Sequence, residues 1–123
     1  MNTRYDICLV TAGNKAAAQK LAEGLLRGRL AACVSTVPGV NSTYWWKGRL
    51  EKASEVLLLI KTRRILREDI IQFVKRHHPY AVPETIFTEI DGASRAYQDW
   101  IGANTIFTTN IPKDKATGAK EEL

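Results

Sequence analysis

Apolar and polar residues recur with two different periods along this chain, and the changes of period mark its elements. Tyr5 to Thr11, YDICLVT, is a short β-branched and apolar run that suits a central strand buried on both faces. Ala12-Gly13-Asn14 breaks it. From Lys15 to Leu30 the residues Ala18, Leu21, Ala22, Leu25 and Leu26 return at helical spacing, with Lys20, Glu23 and Arg27 turned outward. This predicts an amphipathic helix whose last turn is weakened by Gly28. Leu66, Ile70, Phe73, Val74 and His77 repeat the spacing in a second helix, which Pro79 stops near His78. Thr85 to Ile90 alternates and reads as a final short strand, and Ser94 to Ile101 carries Tyr97, Trp100 and Ile101 at the spacing of a short third helix.

Between the first two helices lies the longest feature, Ala32 to Thr62. Two β-rich runs meet at Lys47-Gly48, where glycine supplies the positive φ that a tight turn needs. Pro38-Gly39 bends the first arm, and proline is tolerated in a sheet only at an edge or a bulge, so the first arm is an edge and the second is central. Leu50 to Thr62 contains neither Gly nor Pro and can reach roughly 40 Å, more than the roughly 35 Å diameter of a compact chain of this length. The tip, with Tyr44, Trp45, Trp46 and Leu50, therefore overhangs, and an apolar patch held out in water marks a surface for another chain. Glu51 to Glu55 is polar and fits the overhanging part, whereas Val56 to Ile60, VLLLI, asks for cover on both faces.

The order β-α-β-β-α-β with one added helix predicts an α+β chain of the ferredoxin-like class, with an antiparallel sheet and a long hairpin between its second and third strands. Right-handed crossovers place both main helices on one face. The other face is left for further subunits to bury, a second and independent reason to expect an oligomer. Residues 1–105 make the domain, and the polar, Lys-rich 106–123 reads as a partly disordered tail.

Composition narrows the function more than it names one. No stretch approaches the ~18 apolar residues of a membrane span, and MNTRYDICLVT lacks the charged, apolar and small-residue order of a signal peptide, so the expectation is a cytoplasmic protein without a membrane partner. Cys8 and Cys33 then read as reduced thiols, and Cys33, flanked by Ala31, Ala32 and Val34, as an inert core residue. The net charge of +5 sits partly in the tail, at Lys113, Lys115 and Lys120, and decides little about partners. Tyr44, Trp45 and Trp46 beside Lys47 and Arg49 resemble a base-stacking platform, but the aromatic signature of an RNA-recognition sheet is absent, which favours subunit packing over nucleic acid. There is no Ser-His-Asp order, no G-x-S-x-G, no Walker loop and no G-x-G-x-x-G, so neither an enzyme nor an organic cofactor is expected.

The candidate metal site is His77 and His78 with Glu84, because neutral imidazole suits Cu(II), zinc or nickel and a carboxylate can complete such a site. Adjacent helical residues project about 100° apart, so the two imidazoles do not easily share an ion. Two readings stand side by side: His77 is a core residue and His78 caps the last turn, or His78 is the better ligand for a weakly held Cu(II) or other divalent cation. Lys61 and Tyr80, with Glu84, each follow the end of an element and mark a candidate cleft between subunits.

With these residues laid out, the chain resembles the CutA divalent-cation tolerance family from about Cys8 to about Ile101. The resemblance is carried by RLAACV at Arg29 to Val34, PGV at Pro38 to Val40, Tyr44 and Trp46 before Lys47-Gly48, and EVLLLIKT at Glu55 to Thr62. HHPY at His77 to Tyr80, Pro83-Glu84, and Tyr97 with Trp100 complete it. It implies a homotrimer whose hairpins reach across to neighbours, copper binding and an association with metal tolerance. The plan is similar to that of PII signalling proteins, which makes a trimeric sensor of small anions or nucleotides the alternative function, with Lys61, Arg63 and Arg64 as phosphate donors. Two positions depart from the family pattern: Ala81 follows Tyr80 where a carboxylate is common, and Val10 precedes Thr11-Ala12 where some members carry Cys.

Overall fold

A computed structural model describes residues 4–106. Its elements are β1 (Tyr5–Ala12), α1 (Lys15–Arg27), β2 (Cys33–Trp46), β3 (Arg49–Arg63), α2 (Arg67–His77) after one 3-10 turn at Arg64–Leu66, β4 (Ile86–Glu89) and α3 (Arg95–Ala103). The sheet order is β2-β3-β1-β4 with every pairing antiparallel, which is the ferredoxin-like arrangement the pattern predicts. Helix starts have local causes. Asn14 accepts the Ala17 N–H at the head of α1, and Ser94 does the same for Tyr97 at α3. Of the tail expected at 106–123, Ile106 donates its N–H to the Arg29 carbonyl at 3.1 Å, and the remainder lies outside the described residues.

Strand parity divides the sheet into two chemically different faces. Cys8 and Val10 on β1 and Val56, Leu58 and Ile60 on β3 point toward α1 and α2 and join Leu21, Leu25, Leu66, Ile70, Phe73 and Val74 in one core. Ile7 and Leu9 on β1 alternate to the opposite face with Leu57, Leu59 and Lys61 on β3, and these are only half-buried. The continuous VLLLI run is thus covered on one side by helices and left half-covered on the other. α3 closes one end of that open face, with Ile101 buried and Gly102 lying against Arg63 and Tyr5.

The hairpin outruns the sheet as expected. The pairing of β1 with β3 stops at Ala12 with Val56, so residues 49–55 run on without β1, about 23 Å at a strand's rise per residue. At the tip Lys47 has φ 52° and Gly48 φ 77°, the two positive values a two-residue reverse turn requires. Pro38-Gly39 makes a bulge between Val37 and Val40, with Gly39 at φ 75°, on the edge strand β2. Trp45 is 71% and Leu50 62% exposed, and Tyr44 and Trp46 are exposed beside them. One part of the overhang differs from its polar pattern: Glu55, at its root, is buried.

Candidate functional site

The root of the hairpin is buried by a loop from the far end of the chain. α2 ends at His77, and His78 takes an extended conformation (φ −92°, ψ 136°) that turns its ring back into the protein. Its Nε2–H donates to the Thr11 carbonyl at 2.7 Å, and its Nδ1 accepts the Tyr80 N–H at 3.1 Å. The ring therefore clamps the loop to the end of β1. Beyond it the Tyr80 phenol lies over Gly13, where an added Cβ would come within 3.2 Å of Oη, and donates to Glu55 Oε2 at 2.9 Å. Burial first, and then the bond to Glu55, pushes this phenol up to about 12, so it stays a donor throughout the neutral range.

Glu84 completes the group. Burial first, and next the negative charge of Glu55, raises its proton affinity above that of an ordinary carboxylate. Glu84 thus lies within electrostatic reach of Glu55, the carboxylate to which the Tyr80 phenol donates. A cation would relieve their repulsion, and oxygen donors suit a divalent ion.

This geometry rearranges the sites expected from sequence. His77 was placed in the core and is exposed, its ring 4.2 Å from that of Phe73; His78 was placed at the helix end as a cap or ligand and is buried, 7% exposed. The helical period stops at His77, so it says nothing about where the next side chain points. With both ring nitrogens of His78 engaged, the assignment of His78 as the better ligand is corrected. His77, His78 and Glu84 form no joint metal set: among the described residues no three His, Cys, Asp or Glu side chains come together around one point. Lys61 lies six residues from Glu55 along β3, about 20 Å, so Lys61 and Tyr80 share no cleft within one chain.

Lys61 belongs instead to a second cluster on the open face. Its Nζ donates to Ser35 Oγ at 2.6 Å and lies 3.7 Å from Cys33 Sγ. Cys33 is half-buried among polar groups, which corrects its reading as a core thiol; Cys8 is the buried one, its thiol pushed up to about 12 chiefly by desolvation. Arg63 donates to the Gly102 carbonyl and Thr105, and Arg64 pairs with Asp6 and Glu89, so neither stands ready as a phosphate donor. A shallow groove lined by Asn41, Thr43, Lys52 and Ser54 runs along the middle of the hairpin and gathers no such chemistry.

The family model of the CutA1 divalent ion tolerance protein matches residues 7–104, nearly the whole described chain. The chain belongs to the CutA1 family. It is 41% identical over 99 residues to chloroplastic protein CutA 1 of Oryza sativa, an alignment spanning 80% of this chain and 56% of that one. It is 41% identical over 98 residues to the divalent-cation tolerance protein CutA of Pectobacterium atrosepticum, covering 80% of this chain and 89% of that one. The chain thus spans about half the length of the plant relative and nearly all of the bacterial one. Among solved structures, CutA1 from Oryza sativa superposes with a TM-score of 0.83 at 39% identity, covering 85% of this chain and 96% of that one. The Thermus thermophilus divalent cation tolerance protein gives 0.81 at 38%, covering 83% and 99%.

Of the residues that shape the candidate site in this CutA1 chain, sequence reasoning found Tyr80 and Glu84 and missed Glu55 and the Thr11 carbonyl. Glu55 had one visible signal. It stands directly before VLLLI, on the open-face parity of a strand whose one other acid, Glu51, lies farther out toward the tip.

Proposed function

We propose that the protein acts in divalent-cation tolerance by holding a divalent cation weakly between Glu55 and Glu84, with no catalytic step. The single observation that carries this reading is the pair itself: two carboxylates close enough for the charge of one to raise the proton affinity of the other, under a loop clamped by His78. Cu(II) is the first ion to test, because it heads the affinity order of divalent first-row metals at any oxygen or nitrogen site. Two carboxylates from one chain make a weak site, and water or another copy supplies the remaining ligands.

The working unit in this proposal is a homotrimer in the cytoplasm. The exposed tip aromatics and the half-covered Leu57 and Leu59 support assembly, and the resemblance noted above supports the number three. A reducing compartment suits two cysteines that lie on opposite faces of the sheet, Cys8 toward the helices and Cys33 toward the open side, where they cannot pair. Calorimetric titration with Cu(II) tests the site. Glu84→Gln is expected to weaken binding at least tenfold and His77→Ala to leave it within twofold. Unchanged affinity in Glu84→Gln, or loss of binding in His77→Ala, contradicts the assignment.

A further inference from the structure

Glu55 stands one position past Val56, where the pairing of β3 with β1 ends, and there the chain's own Tyr80 lies against it. The Tyr80 N–H is fixed on His78 Nδ1, and the His78 and Tyr80 rings lie 4.6 Å apart between centroids. The backbone of Tyr80 is thus held, while the residue as a whole stays 38% exposed. Its phenol can therefore swing out about the side-chain torsions without loosening the clamp. The seat it would leave is shaped to it. Gly13 has no positive φ, so the backbone does not call for glycine there; the three atoms nearest to a Cβ added at Gly13 all belong to the Tyr80 side chain, Oη first at 3.2 Å.

We propose that the Tyr80 hydroxyl is a latch on the cation site, competing with the cation for Glu55 Oε2 and raising the concentration at which the site fills. This rests on the carboxylate pair proposed above as the cation site. The phenol, donating at 2.9 Å, already satisfies this buried oxygen. A cation approaching the same oxygen meets the positive end of the O–H dipole, so it binds with the phenol turned away. Opening breaks the bond to Glu55, and the apparent affinity falls by the fraction of molecules that stand open. Once bound, the cation replaces the phenol as the partner of Glu55. The hydroxyl therefore stabilises only the empty protein, and by linkage its contribution there is subtracted from the affinity for the cation. A raised threshold suits a part in tolerance, where the ion to be held is the one in excess.

Calorimetric titration of the wild type, Tyr80→Phe, Gly13→Ala and Glu84→Gln with Cu(II) tests this. Tyr80→Phe is expected to bind Cu(II) about tenfold or more tightly than the wild type, the worth of one hydrogen bond to a charged acceptor. Its deficit in urea unfolding is expected to shrink as Cu(II) is added. Gly13→Ala keeps every polar atom but crowds the phenol, and should tighten binding in the same direction by a smaller factor. Unchanged or weaker binding in Tyr80→Phe, with Glu84→Gln still weakening it, overturns the latch and leaves the carboxylate site standing. Should Tyr80→Phe not fold, unchanged affinity in Gly13→Ala overturns the latch by itself. Unchanged affinity in Glu84→Gln overturns the carboxylate site and the latch with it.

Discussion

Replacing Tyr80 with Phe removes one oxygen and leaves the ring to pack as before, so it isolates the bond between the phenol and Glu55. That bond is 2.9 Å long and reaches a carboxylate whose residue is only 7% exposed. Hydrogen bonds to a charged group contribute about 1.5–3 kcal/mol, and the larger part of the loss comes from leaving the buried acceptor without a partner. Tyr80→Phe should therefore be less stable at pH 7 by about 1.5–3 kcal/mol in urea unfolding followed by tryptophan fluorescence, with an unchanged denaturant slope. The pH dependence gives a second, sharper signature. Folding raises the Tyr80 phenol to about 12, so its contribution is complete below the ordinary tyrosine value near 10 and is lost as the pH climbs from there toward 12. The wild-type protein should lose stability across that window, and Tyr80→Phe should lose less. Equal stability at pH 7 together with identical alkaline slopes would refute the reasoning, because the phenol would then be solvated rather than bound to Glu55.

Three other perturbations probe separate parts of the fold. Asp6 is fully buried between Arg64 and Arg67, and Asp6→Asn, which strips the charge from a buried ionic group, should cost about 3–5 kcal/mol in the same unfolding assay; a loss under 1 kcal/mol would contradict the pairing. Gly48→Val places a β-branched residue at φ 77°, and thermal unfolding should report a destabilisation of at least about 1 kcal/mol, whereas Gly48→Asn should be nearly neutral. If the proposed assembly uses the hairpin tip, charges there, as in Trp45→Glu with Leu50→Glu, should shift sedimentation at micromolar concentration toward the single chain; an unchanged sedimentation coefficient would remove the tip from the interface.

Much of the fold was legible because its signals are local. The helical stripes, the glycine of the Lys47-Gly48 turn and the proline of the bulge each act on their own few residues, and together they leave one topology. The sites were less legible because each is made where distant segments meet. Glu55 looks like one more polar residue of an overhanging arm until a loop 25 positions later brings a phenol to it. His77 and His78 exchanged places because helical periodicity ends where the backbone turns extended, and only the Thr11 carbonyl explains why the second ring faces inward. Apolar flanks made Cys33 look buried, yet a strand alternates. Counting back from the turn and allowing for the slip at Pro38-Gly39 places Cys33 opposite Lys61, on the face without helices.

The central claim is that the cation is held by carboxylates at the hairpin root and not by imidazole at the helix end. Paramagnetic broadening of amide resonances by substoichiometric Cu(II) locates the ion directly in the native protein. The account predicts that signals of Glu55, Glu84 and Tyr80 broaden first while those around His77 persist; broadening centred on His77 and Arg76, with Glu55 and Glu84 unaffected, would contradict it.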